Sequence, residues 1–167
     1  MMSDNDAAEG DPARAAFYAD LPRKRVGAGA LITDTEGRVL VMEQTYRPTW
    51  EIPGGVVESG ETAPAGCRRE CIEELGIVVS VGRLLVVEHQ TERGYRGDSI
   101  MYLYDGGVLS DTSSMHPAEG EIKAIHFVAP TDLELRMTAK LARRVMAAVR
   151  ARESGSVIEL EDGVARP

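Results

Sequence analysis

Residues 55–77 read GVVESGETAPAGCRRECIEELGI, five carboxylates and two arginines within 23 positions. A glycine-containing loop leads into a short helix. Thr62 is a suitable N-cap, Pro64 is tolerated in the first turn, and Gly76 suits the C-terminus. A helix advances ~100° per residue, so Glu70, Glu73 and Glu74 share one sector about 100° wide. Cys71, Ile72 and Leu75 fall on the other side, where they can pack on a sheet. Arg68 falls among them, with its stem along the core edge and its charge reaching out. Three carboxylates on one face repel each other unless a cation sits among them. A hard divalent metal is the best candidate, and that points to phosphate chemistry. An isolated Glu-x-x-Glu-Glu would read more simply as a solvated face with i,i+4 pairing, such as Arg69 with Glu73. The surroundings of this one argue for more.

Upstream, residues 26–33 and 38–44 read as strands joined by a turn at 34–37, a hairpin in pattern and spacing. Residues 45–49 form a loop and 50–53 a short extended stretch. Gly54-Gly55 then lets the chain turn sharply. Downstream, 77–87 reads as a strand broken at Gly82, and 99–104 and 121–129 as further strands. Residues 105–120 read as a loop. Residues 131–152 read as the longest helix, with Leu133, Met137, Leu141, Val145 and Val149 in one apolar stripe. A last strand is expected at 157–160, with a turn at 161–163. Strands on both sides of one helix, followed by a terminal helix, predict an α/β fold with a mixed sheet covered on both faces.

The chain has 167 residues, enough for one domain with a real core; residues 1–22 read as a flexible tail and 23–167 as that domain. The net charge of −8 argues against duplex nucleic acid as a partner, which calls for a basic stripe. No apolar run approaches the ~18–20 residues of a membrane span. The acidic, polar start lacks the features of a secretory signal, so a cytoplasmic address is expected. Cys67 and Cys71 sit four apart and read as small core residues. His89, His116 and His126 match no metal-ligand spacing.

Taken together, Gly55, Glu61, Arg69, Glu70, Glu73, Glu74, Gly76 and Ile77 resemble the Nudix box at every interval. That pattern is Gly, five residues, Glu, seven residues, Arg-Glu, an aliphatic residue, any residue, Glu-Glu, any residue, Gly, aliphatic. Cys71 replaces the usual aliphatic residue and is apolar enough to serve. WEIPGG before the box and EIKAIHFVAPTDL before the last helix are also similar to the family.

The resemblance implies an α/β/α sandwich around a mixed sheet. It implies hydrolysis of a nucleoside diphosphate linked to another moiety, using Mg²⁺ or Mn²⁺. Carried onto this sequence, Glu70 and Glu74 are the main metal ligands. Glu73 is a further ligand or a holder of water, and the Gly54 carbonyl contributes. Arg69 orients the glutamates, and Glu61 braces the loop against the helix. In the family the general base is a glutamate of the box or one from a loop before a late strand. Glu119 and Glu121 stand in such a loop, and Glu121, immediately before the strand, is preferred. Arg25 and Arg47 are candidates for gripping phosphate or ribose. Trp50 and Tyr95 are candidates for contacting a base, although a Trp before Pro-Gly-Gly more often packs under its loop.

The moiety beyond the diphosphate is not readable. QTYRPTWEIPGG is similar to ADP-ribose-cleaving members, but Arg93 stands where those carry a proline. Tyr95 lies near a tyrosine of dinucleoside-polyphosphate-cleaving members. Modified nucleoside triphosphates are a third class. The alternative function is a catalytically idle domain that binds a nucleotide as a sensor. Family members are often homodimers.

Overall fold

The strand β1 (Arg25–Asp34) is buried at seven consecutive positions, 27 to 33, as expected of a strand covered on both faces. This is a computed structural model, and it describes residues 11–91 and 95–166. The other elements are α1 (Pro12–Asp20), β2 (Val39–Gln44), β3 (Gly54–Val56), α2 (Ala63–Leu75), β4 (Leu84–Gln90), β5 (Ser99–Leu109) and β6 (Ile122–Val128). A 3₁₀ helix (Pro130–Leu135), α3 (Ala139–Ser154), β7 (Ile158–Glu161) and β8 (Val164–Ala165) complete the chain.

The sheet order is β6-β2-β1-β5-β4-β7-β8, with β3 paired to β1. The β1–β5 and β4–β7 pairs are parallel and the rest antiparallel, so the sheet is mixed. Strand residues alternate between its faces. Ala28, Ala30, Ile32, Leu40 and Met42 pack with Cys67, Cys71 and Leu75 of α2. Leu31, Val39, Val41, Leu85 and Leu103 pack with Leu141, Val145 and Ala148 of α3. This is the α/β/α sandwich the resemblance implies. The end of α3 is tied to the sheet by Arg152, which donates to Thr33 Oγ1 at 3.0 Å and to Asp105 Oδ1 at 2.7 Å.

Several elements differ from their sequence reading. Residues 1–10 lie outside the described residues, but the rest of the expected tail holds a helix, α1, capped by the Asp11 side chain on Ala13 N. None of its residues is buried. Residues 77–83 are not strand. After the left-handed turn at Gly76, Ile77, Val79 and Val81 fold back onto the α2 face of the core, so their apolar surface is used in packing rather than in a ladder. Strand β5 runs on to Leu109, through part of the expected loop.

Gly54 and Gly55 do not form a free turn; they pair with Gly29 and Ala28 as β3. A Cβ on Gly54 would lie 2.4 Å from the Ala28 carbonyl oxygen, so only glycine lets these backbones pair. The expected long helix is broken, because Thr138 caps α3 by accepting from Leu141 N at 3.3 Å. The break leaves the Arg136 carbonyl to accept from Trp50 N at 2.9 Å. The stripe still faces the core: Leu133, Met137, Leu141 and Val145 are all buried. No described helix is long and apolar enough to cross a membrane.

Candidate active site

Helix α2 begins and ends where its signals indicate. Thr62 Oγ1 accepts from Ala65 N at 3.4 Å, and Gly76 adopts φ 69° at the C-cap. Cys67, Cys71 and Leu75 are buried against the sheet, with both thiols free. Ile72 differs from its expected place and is 43% exposed, since it sits at the rim of that face.

Arg69 is the hub of the polar face. Its Nε and Nη2 donate to the two oxygens of Glu61 at 3.1 and 3.0 Å. Its Nη1 donates to Glu70 Oε1 at 2.9 Å and Glu73 Oε2 at 3.0 Å, and its Nη2 also reaches the Val56 carbonyl at 2.9 Å. One planar guanidinium therefore holds three carboxylates and the β3 backbone in register, which a point-charge lysine cannot do. These bonds keep Arg69 more firmly protonated than usual, led by the Glu61 bond. Glu61 is held below the usual carboxylate range by Arg69 and by the Glu58 N–H.

Glycines 54 and 55 bring the backbone up to the remaining carboxylates. Gly54 N donates to Glu74 Oε2 at 2.8 Å. A Cβ on Gly55 would lie 2.4 Å from the Glu70 carboxylate. Burial pushes the Glu74 carboxyl up to about 8 against the Gly54 bond, and Glu70, Glu121 and Glu51 push the same way.

These groups line a groove of about 1050 Å³. Glu51, Glu70, Glu73, Glu74 and Glu121 contribute carboxylates to it, and Gly54 and Gly55 contribute backbone. Arg25, Arg47, Arg96, Lys140 and Arg144 contribute cations, so the lining is balanced in a chain of net charge −8. Of the substrate candidates, Arg25 and Arg47 line the groove. Arg25 Nη1 donates to the Arg96 carbonyl at 3.0 Å, and Arg47 lies 3.7 Å from Glu51.

Trp50 and Tyr95 do not line the groove. The Trp50 ring stacks on His126 with centroids 4.2 Å apart, carries the Arg136 guanidinium at 4.7 Å, and packs against the α3-side core. Tyr95 is 94% exposed and meets Arg96. Glu121 is in the lining, whereas Glu119 is not. Arg93 lies outside the described residues. The sequence reading missed Glu51, Arg96, Lys140 and Arg144. Lys140 and Arg144 had a signal: they sit i,i+4 beside the Leu141–Val145 stripe, at the edge of the buried face.

Among the described residues, no three His, Cys, Asp or Glu side chains converge as a ready-made metal cage. The carboxylate oxygens are instead held by Arg69 and Gly54 N. The donor set still suits a hard cation: oxygen ligands, like charges close enough to raise one pKa, and backbone at close approach.

Comparison with known proteins gives the family. A family model of the NUDIX domain matches residues 23–149. The chain belongs to the NUDIX family. A MutT-like protein of Streptomyces ambofaciens is 32% identical over 128 residues, 77% of this chain and 79% of that protein. An ADP-ribose pyrophosphatase of Methanocaldococcus jannaschii is 33% identical over 95 residues, 53% of this chain and 56% of that one. Among solved structures, a MutT NUDIX hydrolase from Burkholderia pseudomallei matches with a TM-score of 0.64 at 26% identity, covering 75% of this chain and 98% of that one. The protein is thus an enzyme, a Nudix-type pyrophosphohydrolase, and its Nudix box runs over residues 55–77, from β3 through the loop and α2.

Proposed function

We propose that this groove hydrolyses the pyrophosphate bond of a nucleoside diphosphate linked to another moiety, with Mg²⁺ or Mn²⁺ as cofactor. The observation that carries the reading is the Arg69 network, which ties Glu61 to the helix and fixes Glu70 and Glu73 beside Glu74 on one wall of the groove. Glu70, Glu74 and the Gly54 carbonyl would hold the ion, with Glu73 as a further ligand. When bound, a divalent ion neutralises charge on the diphosphate oxygens and makes water more acidic.

The protein's own groups do the rest. Arg69 keeps the glutamates in fixed rotamers, so little reorganisation accompanies binding. Glu61 joins the 58–61 loop to Arg69 and so braces the loop against α2. Glu121, at the groove and close enough to influence Glu74, takes the proton from the attacking water. Water attacks phosphorus in line, and no covalent enzyme intermediate forms. Glu73, 55% exposed on its side chain, is the alternative base within the box. Arg25 and Arg47 grip phosphate or ribose. A small-molecule nucleotide partner, a cytoplasmic location and a homodimeric assembly complete this reading.

The test is turnover of a panel of ADP-ribose-like compounds, dinucleoside polyphosphates and modified nucleoside triphosphates with Mg²⁺. Release of a nucleoside phosphate from at least one class is expected. Binding without turnover of any of them would assign a nucleotide sensor instead.

A further inference from the structure

Arg144 is the most deeply set cation of the groove, 9% exposed, and it pairs with Glu88, which is fully buried. Only its Nε is used in this pair, donating to Glu88 Oε2. Glu88 Oε1 is buried with no partner among the described residues, so the fork of the guanidinium is not spent on that carboxylate. A guanidinium carries five N–H donors. Among the described residues no acceptor meets those on Arg144 Nη1 and Nη2. Arg144 lines the groove, and its Nη1 and Nη2 are not among the buried polar atoms left without a partner, so these donors open onto the groove, where they can meet an acceptor from outside.

Glu88 is itself held in place. Gln90 Nε2 donates to Glu88 Oε2 at 3.3 Å, and Ser99 Oγ donates to Gln90 Oε1 at 3.1 Å. This chain across β4 and β5 fixes the carboxylate, and the carboxylate fixes the guanidinium.

The surroundings of Arg144 favour negative charge. Lys140, one turn earlier on α3, lines the same groove while its Nζ donates to Asp162 Oδ1 at 2.9 Å. Thr138 and Leu141 of the first turn line it too, so the positive end of the α3 dipole faces the ligand space. The groove's charged walls come from different elements: Lys140 and Arg144 stand on α3, whereas Glu70, Glu73 and Glu74 stand on α2. The α2 wall suits metal, and the α3 wall suits an anion.

We propose that Arg144 and the first turns of α3 bind a phosphate carried by the moiety beyond the diphosphate, with Arg144 as a specificity-determining residue and Glu88 as its positioning residue. This rests on the pyrophosphohydrolase reading of the groove. The preferred substrate is thus a nucleoside diphosphate linked to a phosphorylated group. A planar fork anchored at Nε takes two phosphate oxygens at once, which a lysine cannot reproduce.

The test compares ADP-ribose with the same compound phosphorylated on its distal ribose, both with Mg²⁺. The wild-type enzyme is expected to favour the phosphorylated form in kcat/KM by about tenfold or more, equivalent to ~1.4 kcal/mol. Arg144→Lys is expected to collapse that preference, with the loss carried by KM rather than kcat. Removing one member of a buried pair can unfold a protein. A second variant, Arg144→Met with Glu88→Met, replaces the pair by apolar volume, and a thermal melt establishes that it folds. It too should lack the preference. A wild-type enzyme indifferent to the phosphate, or a preference surviving in either folded variant, overturns the proposal.

Calorimetric titration with inorganic tripolyphosphate and Mg²⁺ separates the two readings. If nothing is turned over but this probe binds wild type about tenfold more tightly than Arg144→Lys, the anion end stands and the hydrolase reading fails. Equal binding by both proteins overturns the anion end whatever the turnover.

Discussion

Glu74 concentrates the electrostatics of the site in one side chain. Its carboxyl is raised from 4.5 to about 8 in the folded protein, first by burial and then by its acidic neighbours. The sign of the stability effect follows. Between the unfolded and folded values, the folded chain holds a proton that the unfolded chain has released. The metal-free protein therefore loses stability as pH rises from about 4.5 through about 8. Glu74→Gln keeps the acceptor for Gly54 N and removes the titrating charge. It is expected to flatten that slope and raise the metal-free Tm at pH 8 by a few degrees, ~1 kcal/mol at this size, while abolishing turnover. Thermal melts from pH 5 to 8.5, alongside an activity assay, check both halves; a lower Tm with retained activity would mean the residue is structural. The two aromatic candidates, Trp50 and Tyr95, both lie outside the groove lining, and Trp50 packs as a tryptophan before Pro-Gly-Gly more often does. A ring announces that it will stack, and its partner is decided by the fold: His126 and Arg136 for Trp50, solvent and Arg96 for Tyr95.

Elements with strong local end signals were legible. The α2 start at Thr62 and stop at Gly76 follow from capping chemistry, which acts within one turn and needs no tertiary partner. The break before α3 was missed although Thr138 is an equally good cap, because the apolar stripe runs through it without a change of period. That break has a purpose in the site: it starts α3 where Thr138 and Lys140 face the groove and frees a carbonyl for Trp50. Thr138→Ala is expected to lower stability by about 1 kcal/mol, the usual cost of a lost cap. Chemical denaturation measures it, and an unchanged midpoint would show that the 3₁₀ segment, not the cap, ends the preceding turn. The stretch 77–83 shows the converse error. Its valines fit a strand by composition, but β-branched residues suit any half-buried surface, and here the surface is the edge of α2.

At the scale of the whole molecule, the groove exists only because α2, β3, the 45–51 loop and α3 converge on one end of the sheet. Carboxylates brought together this way favour an ion, and the ion favours their ionised forms. Added Mg²⁺ is therefore expected to raise the Tm of the enzyme, and by more at pH 8.5 than at pH 6, where binding must first expel the Glu74 proton. Differential scanning fluorimetry at the two pH values tests this; equal shifts would separate Glu74 from the metal site.

The sequence alone determined the family, the sandwich, the ends of α2 and the Arg69-centred set of glutamates. Most of these rest on short-range spacing: Arg69, Glu70 and Glu73 sit within one turn and meet once the helix forms, while Glu61 reaches Arg69 from the adjoining loop. Tertiary structure decided the other half of the groove. Glu51, Arg96 and the α3 pair Lys140 and Arg144 come from three segments far apart in the chain, and nothing local marks Arg144 as buried at the groove and Arg47 as exposed. The box therefore identifies the family, and the packing of α3 on the sheet sets the charge of the groove's other wall.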